Sequence, residues 1–426
     1  MTDFPAALPA APVTPTTPTT HMSPTTLLAH ATGVALVMST AVSVTFMLPI
    51  IAKTTFDATP TVTWLLTAPP VTLFVLSIFW NSIFQRISTR RYWTIYWGIA
   101  CLPLALACFT SALWPLVTLN IISCCGIAGY HPAAGELFKK LYANHERGRA
   151  YGVVTAASTG FGAAMCYALG LWLKHDPFAY QIFLPITAGV QGAGVLVLAS
   201  LAGHEAASAR KAAITEPFAL RRVLEPIVHM RRVLAGDPIF TRYEGAFMTY
   251  GIGWMICYSL VPNLVTDKLH MNSEHAAFAT QTMYQVAIVA ALLPAGLLMD
   301  RLGPVRTCAG CFALLALYPI GLLLASDTAQ LTIVSVFYGL VHAGVNVGWM
   351  LGPVALAPTP AAVPQYVAIH ATLVGLRGAV FQMLGVGLYM ATGSFIAPMA
   401  IAAAALLWAG WQMRVLHTRM KLDRPT

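Results

Sequence analysis

Charged residues are scarce in this sequence. Asp, Glu, Lys and Arg make up 9% of its 426 residues, against roughly 25% in a soluble domain, while 58% are hydrophobic. No soluble core could take in that much apolar surface, so an all-α membrane protein is expected. Acids are missing where they would matter most. No Asp or Glu falls deep in an apolar run; Glu136, Glu244, Asp57 and Asp300 come nearest, each close to a run's end. A disulfide framework is also lacking. All eight cysteines (Cys101, Cys108, Cys124, Cys125, Cys166, Cys257, Cys308, Cys311) fall inside apolar runs, where they pack rather than bridge. Cys308-x-x-Cys311 has metal spacing but no second Cys or His pair nearby, so no metal is expected. No Ser/His/Asp set and no paired carboxylates share one depth, which argues against an enzyme, and no cofactor is implied. Before Leu27 there is no Lys or Arg and no apolar stretch. Residues 1–26, rich in Pro, Thr and Ala, therefore read as a disordered cytoplasmic tail and not as a secretory signal.

What is present is a succession of apolar runs of about 20 residues, each long enough to cross a bilayer. Six lie near 27–52, 61–84, 92–110, 113–134, 150–173 and 178–202, and six near 244–266, 276–299, 307–325, 330–353, 366–391 and 393–416. The expected domains are an N-terminal six-helix bundle (27–202), a cytoplasmic linker (203–243), a C-terminal six-helix bundle (244–416) and a cytoplasmic tail (417–426). In the linker, Glu216-Pro217, Arg221-Arg222, Glu225-Pro226 and Arg231-Arg232 suggest short amphipathic helices held to anionic headgroups. Twenty of the 24 Lys and Arg fall on one side of this arrangement. Lys53, Lys174 and Lys268 fall on the other, and Arg377 lies within a run. That bias puts both termini in the cytoplasm. It also accounts for the net charge of +9 without nucleic acid. A monomer in a bacterial inner (plasma) membrane is expected, with lipid and a small-molecule substrate as its partners.

Between two of the runs lies Gly296-Leu297-Leu298-Met299-Asp300-Arg301-Leu302-Gly303-Pro304-Val305-Arg306. A degenerate copy sits 215 positions earlier, where Arg86 matches Arg301, Arg91 matches Arg306, and Gln85 replaces Asp300. The same offset pairs Tyr151 with Tyr366, Ala156 with Ala371 and Gly160 with Gly375, which argues for a duplicated half. The charged turn resembles the loop signature of the major facilitator superfamily, Gly-x-x-x-Asp-Arg-x-Gly-x-x-Arg/Lys. The resemblance implies two six-helix bundles related by a pseudo-two-fold axis, rocking about a central site. It also implies gating by Asp300, Arg301, Gly303, Arg306, Arg86 and Arg91, with Asp300 docking on the start of the fifth span near Gly148–Tyr151. The fifth span has no Gly-Pro signature and the fourth no Arg, which argues against a drug/proton antiporter.

Arg377 is the sharpest single residue. A charge mid-span costs at least ~2.5–3.5 kcal/mol on insertion scales and needs a partner or a watery cavity. It reads either as a ligand for an anionic group, with Gly375 and Gly378 giving it room, or as a clamp onto backbone carbonyls. His370, seven residues earlier, shares its helix face. His370, His342 and Glu136 are the candidates for proton coupling. Polar and aromatic residues on spans add Asn346, Tyr250, Trp254, Tyr258, Gln281 and Gln285 to Arg377 and His342 as candidate substrate contacts. Glycine spacings such as Gly344-x-x-x-Gly348-x-x-x-Gly352 and Gly160-x-x-x-Ala164 read as helix-packing devices. The expected function is secondary active transport of a small organic solute by alternating access, an anionic metabolite being favoured through Arg377. Multidrug efflux is the first alternative, and a non-transporting receptor or scaffold on a transporter fold is the alternative of another class.

Overall fold

The computed structural model describes residues 23–76, 87–130, 147–202, 230–358 and 363–422, with positions 80, 83, 133–134, 137 and 141–142 between them. Among these residues there is no strand. Among the described residues twelve long helical runs succeed one another. The first half holds α1 (Pro24–Phe56), α2 (Pro60–Leu76), α3 (Thr89–Phe109), α4 (Leu113–Ile127), α5 (Arg147–His175) and α6 (Tyr180–Ala202). The second holds α7 (Pro238–Asn263), α8 (Ser273–Met299), α9 (Pro304–Leu324), α10 (Thr328–Leu356), α11 (Val363–Thr392) and α12 (Ile396–Leu422). Each overlaps one apolar run of the sequence, and the far ends of the runs at 61–84 and 113–134 lie partly outside the described residues.

Local chemistry sets the helix starts. Pro60, Pro238 and Pro304 open helices at positions where an N–H has no partner inside the helix. Asp237, Asn272 and Asp327 cap the starts of α7, α8 and α10, accepting from the amides of Phe240 (2.9 Å), His275 (2.9 Å) and Gln330 (2.8 Å). Gly303 takes φ +76° in the turn between α8 and α9, a conformation that a Cβ resists. This is the backbone reason for a glycine at that place in the signature.

The seventh helix begins at Pro238, six residues ahead of the boundary expected at 244. The Tyr366 hydroxyl donates to the other Asp237 oxygen at 2.8 Å and ties the cap to α11. Residues 230–236 are helical, and Met230, Val233 and Leu234 pack on Phe240, Tyr366 and Ile369. The end of the linker is thus docked on the C-terminal half. Both termini (1–22 and 423–426) and linker residues 203–229 lie outside the described residues.

The halves meet along two seams, α2 with α11 and α5 with α8, while α7 also reaches α1 and α2. Adding six to the helix number exchanges one seam for the other, which is the pseudo-two-fold relation in packing terms. Glycines let the seams close. A Cβ on Gly378 would meet Val71 Cγ1 at 2.8 Å, and one on Gly170 would meet Ala277 Cβ at 2.6 Å. Gly160 faces open space, so the expected Gly160-x-x-x-Ala164 stripe is not the packing face; α5 presents Gly162 and Gly170 instead. On α10 the glycine stripe packs as read, Gly344 against Cys311, Gly348 against Cys308 and Gly352 against Tyr243.

Candidate functional site

A partly open cavity lies between the halves. The first half contributes Thr45, Phe46, Pro49 and Ile50 from α1 and Thr67 from α2. The second contributes Trp254, Cys257, Tyr258, Val261 and Pro262 from α7, Thr280, Gln281 and Tyr284 from α8, Tyr318 from α9 and Tyr338 from α10. None of these lining residues is charged. The Phe46 and Tyr258 rings meet edge to face across the two halves, with centroids 5.9 Å apart. Tyr338 stacks on Tyr318 at 4.1 Å and on Tyr284 at 4.8 Å, and its hydroxyl accepts from the Trp254 indole at 2.6 Å. Such a wall offers flat apolar faces edged by hydroxyl and amide groups.

Of the residues expected to touch substrate, Trp254, Tyr258 and Gln281 line this cavity. His342 and Tyr250 stand one layer behind it. The Tyr250 hydroxyl is 3.0 Å from His342 Nε2 and the Tyr284 hydroxyl 2.7 Å from Nδ1, so both ring nitrogens are engaged. His342 therefore fixes Tyr284 in the wall. Gln285 lies in the α5–α8 seam, its amide 3.5 Å from Cys166 Sγ. Asn346 is exposed one turn along α10 from His342, outside the lining. Phe46, Tyr318 and Tyr338 are lining residues that the sequence reading missed.

Arg377 does not face the cavity. Its side chain is 2% exposed and runs between α11 and α7. Nη1 donates to the Phe247 carbonyl, and the guanidinium lies over the Tyr250 ring, 5.5 Å from its centroid. The carbonyl-clamp alternative is the one observed, and the argument for an anionic solute loses its residue. The room for the side chain also comes from elsewhere. A Cβ on Gly251 would run into Arg377 Cδ and Nε, whereas Gly375 and Gly378 face α2. Glu244, six residues into α7, is nevertheless buried. It is 3% exposed and pairs with His370, whose Nδ1 is 2.9 and 3.0 Å from its two oxygens.

The halves are closed on each other at the end of the bundle away from the Gly296–Arg306 turn. Lys53 on α1 pairs with Asp267 beyond α7 at 2.8 Å, and Lys174 on α5 with Glu274 on α8 at 2.6 Å. Tyr389 donates to Asp267 at 3.1 Å, and the Thr54 and Ser273 hydroxyls are 3.1 Å apart. Lys268 donates to the carbonyls of Leu322, Leu323 and Ala325 at the end of α9, and burial there lowers its pKa from the usual lysine value. At the opposite end, Arg91, Arg301 and Arg306 are exposed. Arg86, Glu136 and the side chain of Asp300 lie outside the described residues, as do the side chains of 143–149, where Asp300 was expected to dock.

Residues 31–280 match the Major Facilitator Superfamily profile, more than half of the chain. The chain belongs to that superfamily. It is a multi-pass integral membrane protein with the fold of a secondary transporter. A crystal structure of the nucleoside transporter NupG superposes with a TM-score of 0.66 at 12% identity, covering 94% of this chain and 100% of that one. A POT family transporter in complex with 5-aminolevulinic acid gives 0.65 at 12% identity, over 93% and 95% of the two chains. A bacterial homolog of the human lysosomal transporter Spinster, inward-facing and unoccupied, gives 0.59 at 14% identity, over 92% and 94%. No curated protein matches the sequence. At these identities the likeness shows the fold of this transporter and not its solute.

Proposed function

We propose that this transporter carries a small, uncharged, flat-ringed solute by alternating access, with both termini in the cytoplasm of a bacterial inner membrane. The observation that carries the reading is the cavity between the halves. It is walled by Phe46, Trp254, Tyr258, Tyr284, Tyr318 and Tyr338, edged by Thr45, Thr67, Thr280 and Gln281, and has no charged side chain in its lining. Aromatic faces hold a planar ring by stacking, and hydroxyl and amide groups orient it. An anion in this cavity would leave water without a counter-charge, which is costly. The ion pairs Lys53–Asp267 and Lys174–Glu274 support a state closed at one end. The concentration of Lys and Arg in the opposite loops supports a cytoplasmic loop end. The nucleoside named for NupG is a ring compound without charge, so nucleosides head the solutes to test. Multidrug efflux is the second reading, favoured by the same aromatic lining.

The test is counterflow in proteoliposomes holding the full chain, with tritiated adenosine and uridine and a panel of uncharged aromatic compounds. The expected result is saturable exchange of a narrow set of neutral ring solutes. Exchange of many unrelated lipophilic compounds points to efflux of drugs. No exchange of any solute overturns the transport reading.

A further inference from the structure

The hydroxyl groups along and behind the aromatic wall form a chain whose hydrogens can be assigned one by one. Tyr250 on α7 and His342 on α10 are 2% and 4% exposed. The Tyr250 hydroxyl is 3.0 Å from His342 Nε2, its one hydrogen-bond partner among the described residues. His342 Nδ1 is 2.7 Å from the hydroxyl of Tyr284 on α8, which lines the cavity. Among the described residues both ring nitrogens thus face a hydroxyl, and neither faces a carboxylate. A buried imidazolium there would lack a counter-charge and would share Tyr250 with the Arg377 guanidinium, so the neutral ring is the stable form. A neutral imidazole has one N–H and one lone pair. The chain therefore runs in one sense or the other, and both distances suit either.

Two arguments choose the sense. Were Nε2–H to donate to Tyr250, the Tyr250 hydrogen would be buried with no acceptor. Were Tyr250 to donate to Nε2, only lone pairs on its oxygen would go unused, and an orphaned donor is the rarer and costlier fault. The Arg377 guanidinium over the Tyr250 ring, 5.5 Å from its centroid, favours the same sense, because each hydrogen then points down the chain from the charged end. So Tyr250 donates to Nε2, and Nδ1 carries the ring hydrogen and donates to the Tyr284 oxygen. The Tyr284 hydrogen is then left to give. Tyr338 on α10 follows the same pattern. Its oxygen accepts from the Trp254 indole at 2.6 Å, an N–H that can only donate, and its own hydrogen is left over. Tyr338 also lines the cavity, its ring stacked on that of Tyr284 at 4.8 Å.

We propose that Tyr284 and Tyr338 make a hydrogen-donating edge of the cavity, fixed by the Nδ1–H tautomer of His342, and that this edge selects flat uncharged solutes carrying an acceptor there, a ring nitrogen or a ring carbonyl. This names the solute class within the transport reading above and rests on it. His342 and Tyr250 are positioning residues, since neither lines the cavity. A solute whose ring edge bears only N–H or C–H would shut the two hydroxyl hydrogens away from water and offer them nothing in return. Each hydrogen bond lost in that way costs roughly two- to tenfold in affinity.

Two measurements on the full chain test this. The first needs no solute. Nitrogen NMR spectra of protein carrying labelled histidine distinguish a ring nitrogen that bears hydrogen from one that does not. The His342 signals are those lost in His342→Gln, and those shifted in Tyr284→Phe identify them a second time. The expected spectrum has hydrogen on Nδ1 and none on Nε2. Hydrogen on Nε2, alone or together with Nδ1, overturns the donor edge. The second measurement is equilibrium dialysis with two uncharged bicyclic compounds of similar size: quinoline, whose ring nitrogen only accepts, and free indole, whose N–H only donates. Quinoline is expected to bind the wild type roughly two- to tenfold tighter than indole, and Tyr284→Phe to lose much of that preference. Equal binding of the two, tighter binding of indole, or a preference unchanged in Tyr284→Phe overturns the selection. If neither compound binds, the flat-ring reading fails and takes the selection with it, while the tautomer still decides the sense of the hydroxyl chain.

Discussion

The two halves share a six-helix plan but contribute unequally to the space between them. The first half offers the cavity one aromatic ring, Phe46, together with Thr45 and Thr67. The second half offers five aromatic rings, and behind them lie His342, Arg377, Glu244 and His370. On the proposed function, the repeated scaffold has kept its seams in both halves and placed recognition in one of them. The seams need only small residues at regular spacing, and that demand is symmetric. A solute of irregular shape makes no symmetric demand, so the lining is free to diverge.

The largest expected effect sharpens this contrast directly. Trp254→Ala removes a ring from the wall and weakens solute binding by about 1.5–3 kcal/mol, roughly ten- to 150-fold in Kd. Thr45→Ala, on the opposite wall, costs one hydrogen bond at most, about 0.5–1.5 kcal/mol. Equilibrium binding to the purified protein separates the two, and equal losses would break the claim that recognition sits in the second half. Next comes Gly251→Ala. The added methyl collides with Arg377 and should lower stability by about 1–3 kcal/mol, read as an earlier thermal unfolding transition. The same change at Gly160, which faces open space, should leave the transition in place or raise it slightly.

The ion pairs at the closed end give the third effect. Lys53 is 6% exposed in its side chain and Lys174 46%. Breaking a buried pair strands a charge, while an exposed pair is screened by water. Lys53→Met should shift spin-label distances across that end toward separation, and Lys174→Met should shift them less. The smallest effect is expected at Arg377. Arg377→Met should leave solute affinity within about twofold, because the guanidinium contacts a carbonyl and a ring away from the cavity.

Much of this was legible in one dimension. Span lengths, the charged turn and the repeat offset lead to the fold, since each follows from bilayer thickness or backbone geometry. Trp254, Tyr258 and Gln281 were found because polar and aromatic groups on a span seek the interior. Phe46, Tyr318 and Tyr338 were missed because an aromatic ring at a cavity and one in a core look alike in sequence. Arg377 was left between an anion ligand and a carbonyl clamp, because no sequence pattern tells whether a buried charge is met by a solute or by the backbone. Glu244 was placed too near a helix end, although Asp237-Pro238 is a readable start signal that moves it inward.

The most direct measurement sets charge against ring shape. In competition for the wild-type cavity, adenosine and its 5′-monophosphate present the same ring system with and without an anionic group. The account predicts that the neutral compound displaces a bound tracer and the phosphorylated one does not. Tighter binding of the phosphorylated compound, abolished by Arg377→Met, would contradict it.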